Sequence, residues 1–525
     1  LPIADTILFD VRTTENERVN IALVGSRIAE VAPAGSLAHT SGPRTRVLDL
    51  GGCLVTPGLW DSHIHLYHWS QMRHQLQLAG STGSREQLLA AVSAAPDHGD
   101  WLVGHGWNPG DWPEAKPPTR QELDQVTGDR PTLLWCSDLH SALANTAALA
   151  ASGLLEGAIE VPGGLIERDA EGSPTGWLRE LAANIARDAM PVPDDARMAE
   201  LLLQAQAELH RLGITGICDQ RIKNQDDGPR LFRLLRGLES QGRWQLRTNL
   251  NVAAHHLAHA RELGLSTGFG SDRLRLGHLK VFADGTLGSL TARMLEPFQA
   301  GASGQDGRGL YLTPPEEMRE TFRQGAEAGF SISVHAIGDE ANRVCLDLFE
   351  ELDGLGIPRP RVPHRLEHAQ ILDDADVGRF APLNLAVSAQ PGHLLDDRHG
   401  SERALGERAR LCYRLGDLWR AGATLVFGTD APVSEIDPRY GLKAAALRCR
   451  PGETAWFPEQ RLPAAAIWNA YTVGAAKAAG WGDLIGPLAP GYRADLVIWR
   501  GDPLGPGEAE VTHTLVDGRL VYGPI

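Results

Sequence analysis

No apolar stretch in the chain approaches the roughly 20 residues that a membrane-crossing helix needs, so a membrane partner is not expected. Basic residues are in deficit, with Lys+Arg 50 against Asp+Glu 66 and a formal net charge of -16. A surface built on nucleic-acid phosphates gathers Lys and Arg, so this balance argues against nucleic acid as a partner. Cysteine is sparse and scattered as Cys53, Cys136, Cys218, Cys345, Cys412 and Cys449. With no close pair, the pattern fits neither a zinc ribbon nor a disulfide framework and reads as reduced thiols. The opening Leu-Pro-Ile-Ala-Asp-Thr lacks the basic and apolar regions of a signal peptide, and the expected setting is the cytoplasm.

What is present is an ordinary globular mixture, 42% hydrophobic and 22% charged, with Gly and Pro scattered without period, which excludes a fibrous or disordered chain. At about 150 residues per domain, 525 residues make roughly three domain equivalents, or one large α/β barrel with appendages. Both ends carry short β-rich runs broken by turn residues, among them Val19–Val24, Arg46–Leu50, Leu496–Trp499 and Arg519–Tyr522 after the Asp517-Gly518 turn signal. Neither end is long enough to bury a core alone, so residues 1–58 and 485–525 are expected to pair into one small sheet domain.

Between them, apolar runs alternate with helical stretches, the signature of βα units and a parallel sheet. Eight runs stand out: Cys53–Leu66, Gly213–Asp219, Gln245–Val252, Leu274–Ala283, Ser331–His335, Arg365–His368, Leu385–Gln390 and Thr424–Asp430. Eight such strands predict an α/β fold, a (β/α)8 TIM-type barrel over 59–484. The interval from about 69 to 205 is too long for a loop and predicts an inserted α/β subdomain.

The chemistry-bearing residues gather where these runs end. His63-Ile64-His65 closes the first run, and residues two apart on a strand face the same side, so both imidazoles can reach one metal ion. His335, His368 and Asp430 end the fifth, sixth and eighth runs, at the barrel face where active sites are built. Any one of these histidines alone is as well explained as a core residue bonded to a carbonyl; their coincidence at four strand ends is not. Lys280, inside the fourth run, is costly to bury unless it is paired or modified. A salt bridge to Asp284 or Asp430 and N-carboxylation to a carbamate are both open there.

Val55 through Leu66, with Gly104-His105-Gly106-Trp107, Asp138-Leu139-His140-Ser141, Pro174-Thr175-Gly176, Lys280 through Gly285, Val334 through Asp339, Glu367-His368-Ala369, Phe427 through Pro432 and Pro490 through Val497, carries a resemblance over nearly the whole chain. It resembles the YtcJ-like (amidohydrolase 3) family of the metal-dependent amidohydrolase superfamily, which includes N-substituted formamide deformylase. The resemblance implies a distorted TIM barrel plus a small β-sandwich domain made from both termini, and a divalent-metal enzyme with His63, His65 and Asp430 on one ion, His335 and His368 on a second, and carboxylated Lys280 as bridge. Zinc suits such donors, with one or two ions expected. A metal-bound hydroxide would attack a non-peptide carbon–nitrogen bond of an amide, formamide or cyclic amide, with Asp430 moving the proton. His140 and Trp107 are the expected substrate contacts, weighed evenly against packing within the insertion.

The alternatives are a mononuclear deaminase or an ester hydrolase on the same fold, and a non-catalytic metal-binding protein. Deaminases of the superfamily usually place a Glu three residues after the fifth-strand His, where this chain has Gly338 followed by Asp339. Asp61 and Asp219 are read as ligand-orienting or helix-capping, with capping favoured for Asp219. His255, His256 and His259 are read as solvated, Trp101 and Trp112 as core, and 301–309 as a candidate lid. A small-molecule substrate is implied, and a homodimer is the base-rate expectation.

Overall fold

The computed structural model describes residues 3–34, 36, 41–78, 83–96, 100–107, 109, 112, 117–136, 141–156, 160–161, 164–220, 227–299 and 306–524. The chain separates into two compact units, Leu1–Tyr67 with Ala199–Ile525, and His68–Met198.

The first unit contains eight parallel strands: Leu59–Ile64, Ile214–Asp219, Arg247–Ala253, Leu274–Phe282, Ile332–Ala336, Arg365–His368, Ala386–Ala389 and Thr424–Phe427, each paired with the next. Past the eighth strand, Asp430 N–H donates to the His63 carbonyl at 2.6 Å and His65 N–H to that of Ala431 at 2.9 Å, nearly closing the barrel. Helices cover the strands from outside, which is why runs such as Ile214–Asp219 are buried along their whole length.

One expected run divides. Cys53–Leu66 holds two strands, Leu54–Pro57 and Leu59–Ile64, in different sheets. The break falls at Gly58, where a Cβ would lie 2.1 Å from the Thr215 Oγ1 atom, so the chain passes from sheet to sheet only without a side chain. Leu54–Pro57 pairs antiparallel with Leu496–Arg500, joining the two ends of the chain. The result is an eight-stranded sheet in the order Arg519–Tyr522, Glu510–Val516, Leu496–Arg500, Leu54–Pro57, Thr6–Arg12, Arg18–Val24 and Arg27–Pro33, with Arg46–Asp49 also on Thr6–Arg12. Asp517 and Gly518, both at positive φ (49° and 72°), form the final hairpin turn that the dipeptide predicts.

A buried ion network fastens this sheet to the barrel. Arg247, which begins the third barrel strand, donates to both Asp495 oxygens at 2.6 and 2.9 Å and to Asp517 at 2.7 Å. Arg273 adds a contact to Asp517 at 2.5 Å.

The second unit is a sheet in the order Gly164–Arg168, Pro174–Glu180, Ser141–Ala144, Thr132–Cys136, Leu102–Trp107 and Leu76–Gln77, packed with helices. Among the described residues, no helix is long and apolar enough to cross a membrane.

Removing one member of a buried charge pair strands the other, so Arg247→Ala should lower stability by about 3–5 kcal/mol. Chemical denaturation would read this, and a loss near zero would mean that the network does not hold the sheet to the barrel.

Candidate active site

Six side chains meet at the barrel mouth because their strands end there. His63 and His65 lie on one face of the first strand, and both Nε2 atoms approach the Oδ1 atom of Asp430, at 3.3 and 3.1 Å. The His63 ring lies 4.9 Å from that of His368, which lies 4.4 Å from that of His335. His63, His368 and Asp430 together offer ligand atoms within 4.8 Å of one another, a spacing that fits a metal ion. Lys280 is 2% exposed, and its Nζ has no hydrogen-bond partner.

Each imidazole is held by its other nitrogen. His63 Nδ1–H donates to Glu367 Oε2 at 2.8 Å, His65 Nδ1–H to the Gln220 carbonyl at 2.8 Å, and His368 Nδ1–H to Gln390 Oε1 at 2.8 Å. In that tautomer the Nε2 lone pairs of all three are free for an ion, the usual arrangement for metal-binding histidines. His335 is held the other way, its Nε2–H donating to the Gly285 carbonyl at 3.2 Å.

Backbone strain accompanies these positions. His368, Ala369 and Asp430 sit at φ 70°, 45° and 61°, conformations that side-chain-bearing residues rarely adopt. Such strain persists where surrounding contacts over-determine it, and it concentrates at functional sites. Asp61 supplies some of those contacts. Its Oδ1 accepts the His63 and Thr429 amides at 3.1 and 3.0 Å, and its Oδ2 accepts the Thr429 hydroxyl at 2.6 Å, tying the first strand to the eighth. Asp219 caps instead, accepting the Leu66 amide at the start of helix Leu66–Met72 at 2.9 Å.

The electrostatics favour neutral rings at His63, His335 and His368 and a charged carboxylate pair, whereas at His65 burial is outweighed by Asp430 and the pKa of the ring is raised. Burial lowers His63 to about 4 against the pull of Asp430 and Glu367, and lowers His335 to about 3. Burial alone would raise Glu367 and Asp430. The Arg365 guanidinium overrides it at Glu367, and His63 with His65 overrides it at Asp430, so both lie well below the usual carboxylate range. Burial lowers Lys280 to about 8, opposed by Glu367 and Asp430.

Glu367, Arg365, Gln390 and His393 were not assigned roles from sequence. Glu367 and Arg365 occupy a four-residue strand, two residues apart on one face, and a buried charged pair of that kind is the signal that marks them. Arg365 spans the barrel interior, donating to the Ser62 carbonyl at 2.6 Å and the Ser388 hydroxyl at 2.7 Å.

Trp107, weighed evenly between substrate contact and packing, lies in an apolar core cluster of the second unit. It is 1% exposed, pairs with Trp112 and Trp177 at 5.4 and 5.5 Å, and donates its indole N–H to the Leu134 carbonyl at 3.3 Å, so packing accounts for it. His140 lies outside the described residues, as does 301–305 of the expected lid. His255 and His259 are exposed, as the solvated reading has it.

A near-closed parallel barrel with a metal-competent histidine–carboxylate cluster at its mouth defines a metal-dependent hydrolase acting on carbon–nitrogen bonds. The chain belongs to the amidohydrolase family, whose family model matches residues 46–522. It is 30% identical to YtcJ of Bacillus subtilis (strain 168), over 91% of each chain. It is 26% identical to the N-substituted formamide deformylase of Arthrobacter pascens, over 98% of this chain and 97% of that one. In structure it resembles an uncharacterized metal-dependent hydrolase from Pyrococcus furiosus, with a TM-score of 0.76, 26% identity and coverage of 95% of this chain and 100% of that one.

Two outcomes follow from the site. Glu367→Gln exchanges the carboxylate that orients His63 for an amide, and metal affinity should fall about 10–100-fold by competition with a chelator. The metal-free protein should also lose stability on acidification. His63 and His335 take up protons near 6.5 when unfolded and only near 4 and 3 when folded, so the unfolded state binds more protons in between. Tm should therefore fall as pH drops from about 6.5 towards 4, and a flat profile would contradict the buried neutral rings.

Proposed function

We propose that the protein hydrolyses a small-molecule amide, formamide or cyclic amide at a two-ion centre of divalent metal, with zinc the ion that suits these donors. His63, His65 and Asp430 would hold one ion and His335 and His368 the other, with N-carboxylated Lys280 between them. The observation that carries this reading is the cluster of His63, His368 and Asp430, whose ligand atoms lie within 4.8 Å of one another, together with a buried Lys280 amine that has no hydrogen-bond partner. Burying an unpaired ammonium is expensive. A lysine lowered to about 8 carries an appreciable neutral fraction, which can add to carbon dioxide with loss of one proton to give an anionic carbamate. That conversion replaces an unmatched cation among imidazoles with a ligand. Asp430 Oδ1, likewise without a hydrogen-bond partner, fits the same ion-binding role.

A bound divalent ion supplies an acidified water and polarises the scissile carbonyl. Asp430 accepts the attacking water's proton and returns it to the leaving nitrogen, a general acid–base role suited to a carboxylate at the centre. The new C–O bond forms, the C–N bond breaks, and nitrogen keeps the bonding pair. Support for a formamide or simple amide comes from the near-full-length similarity to the formamide deformylase.

Deamination by a glutamate after the fifth strand has no room here. A Cβ at Gly338 would lie 2.0 Å from the Arg293 carbonyl oxygen, and the Gly338 amide is held by Asp284 at 2.8 Å. Asp339 is committed to the Leu295 amide at 2.8 Å.

Elemental analysis with native mass spectrometry tests the proposal, alongside turnover of a series of N-alkylformamides and N-acylamines. Two ions per chain, one added carbon dioxide and turnover are expected, and Lys280→Ala should retain at most one ion. Full metal content in Lys280→Ala, or an unmodified Lys280 in an active two-ion enzyme, would overturn the bridge.

A further inference from the structure

His393 begins the helix His393–Leu405 that follows the seventh strand, and it differs from every other histidine at the barrel mouth. The rings of His63, His65, His335 and His368 are each anchored by a hydrogen bond from one nitrogen. The His393 Nε2 atom is buried and makes no hydrogen bond. It lies 4.0 Å from Asp430 Oδ2, beyond hydrogen-bond length, on the carboxylate oxygen opposite the one facing His63 and His65. Its ring runs nearly parallel to that of His368 (15°), with centroids 6.5 Å apart.

The base of the ring is well supported. One turn further along the helix, Asp397 is fixed by Gln370 Nε2 at 2.9 Å and the Tyr413 hydroxyl at 2.5 Å. A buried polar atom left unmatched costs about 1–3 kcal/mol unless a ligand supplies the partner. Catalytic hydrogen bonds are often long or unmade until substrate arrives.

We infer that His393 Nε2 accepts a hydrogen bond from the N–H of the scissile amide, holding the leaving nitrogen beside Asp430 Oδ2. This rests on the carbon–nitrogen reading above and narrows it to amides that carry an N–H. Nitrogen is thereby placed next to the group that returns its proton, while the carbonyl end faces the histidine cluster. Of the two ring nitrogens Nε2 is the one that faces Asp430 Oδ2, and in the Nδ1–H tautomer it is the acceptor. An N-methylated substrate leaves that acceptor buried and unpaired, so the site selects against it.

The test compares N-butylformamide with N-butyl-N-methylformamide on metal-loaded wild type, His393→Phe and His393→Asn, with metal content measured on each. Wild type should prefer the N–H substrate in kcat/KM. In His393→Phe that preference should shrink roughly tenfold, the worth of one hydrogen bond, with metal content unchanged. His393→Asn, whose side-chain oxygen can still accept, should recover part of it. Equal losses on both substrates, or loss of metal, would make His393 a structural or ligating residue and overturn the inference. An unaltered preference in His393→Phe would overturn it alone. A wild type inert towards the whole amide series would overturn the carbon–nitrogen reading and this inference together.

Discussion

The seam between the first and eighth barrel strands is the constraint on which the site depends. Asp430 donates its amide to the His63 carbonyl and faces the two imidazoles with its carboxylate, while Asp61 clamps Thr429 on the other side of the joint. Closing the barrel and assembling half of the histidine–carboxylate cluster are therefore one event. Gly428 shows how tight the seam is, since a Cβ there would lie 2.3 Å from the His63 amide nitrogen. The strained φ of Asp430 is sustained because both strands pull on it, and it aims the carboxylate at rings that period-two geometry alone would not bring to it.

Charge inside the barrel is balanced by position rather than by simple pairing. Arg365 and Glu367 form a buried pair at 2.9 Å, and Glu367 passes its remaining capacity to His63 and to the Ser333 hydroxyl at 2.7 Å. Buried pairs of this kind stabilise little against a well-packed apolar alternative. Here the pair fixes a ring orientation, which apolar side chains could not do. Lys280 stands outside this balance. Its neighbours attract its proton but none bonds its nitrogen, which sets it apart from Arg365 and is the feature on which the proposed carbamate rests.

Much of this was legible in the chain because strand ends are visible in sequence. An apolar run followed by a turn locates the barrel mouth, and His63, His65, His335 and Asp430 stand at such ends. Contacts that depend on register between distant strands were not legible. Nothing local links Gln390 to His368 until parallel pairing sets the sixth and seventh strands side by side, or Glu367 to His63 until the curled sheet brings the sixth and first strands across the barrel interior from each other. His368 itself follows Glu367, so alternation would turn the two to opposite faces. Its φ of 70° takes it out of extended backbone and returns the ring to the cluster. Cys53–Leu66 read as one strand because hydrophobicity does not reveal a change of sheet. The clue was Gly58, whose close approach to Thr215 is a tertiary fact.

The same tertiary facts bear on which chemistry the barrel performs. Position 338 follows the fifth-strand histidine at the distance where a deaminase would carry its acid, yet the backbone there is pressed against Arg293 and leaves no space for a side chain. The nearby carboxylates are also committed. Asp284 gathers the amides of Ile337, Gly338 and Arg293 at 2.8–3.0 Å, and Asp339 holds that of Leu295. In the proposed mechanism proton transfer falls to a carboxylate already at the centre, and the oxygens of Asp430 face both the imidazoles and His393. A single carboxylate that takes a proton from water and gives it to nitrogen suits hydrolysis of an amide, because acid and base are needed in succession at the same place.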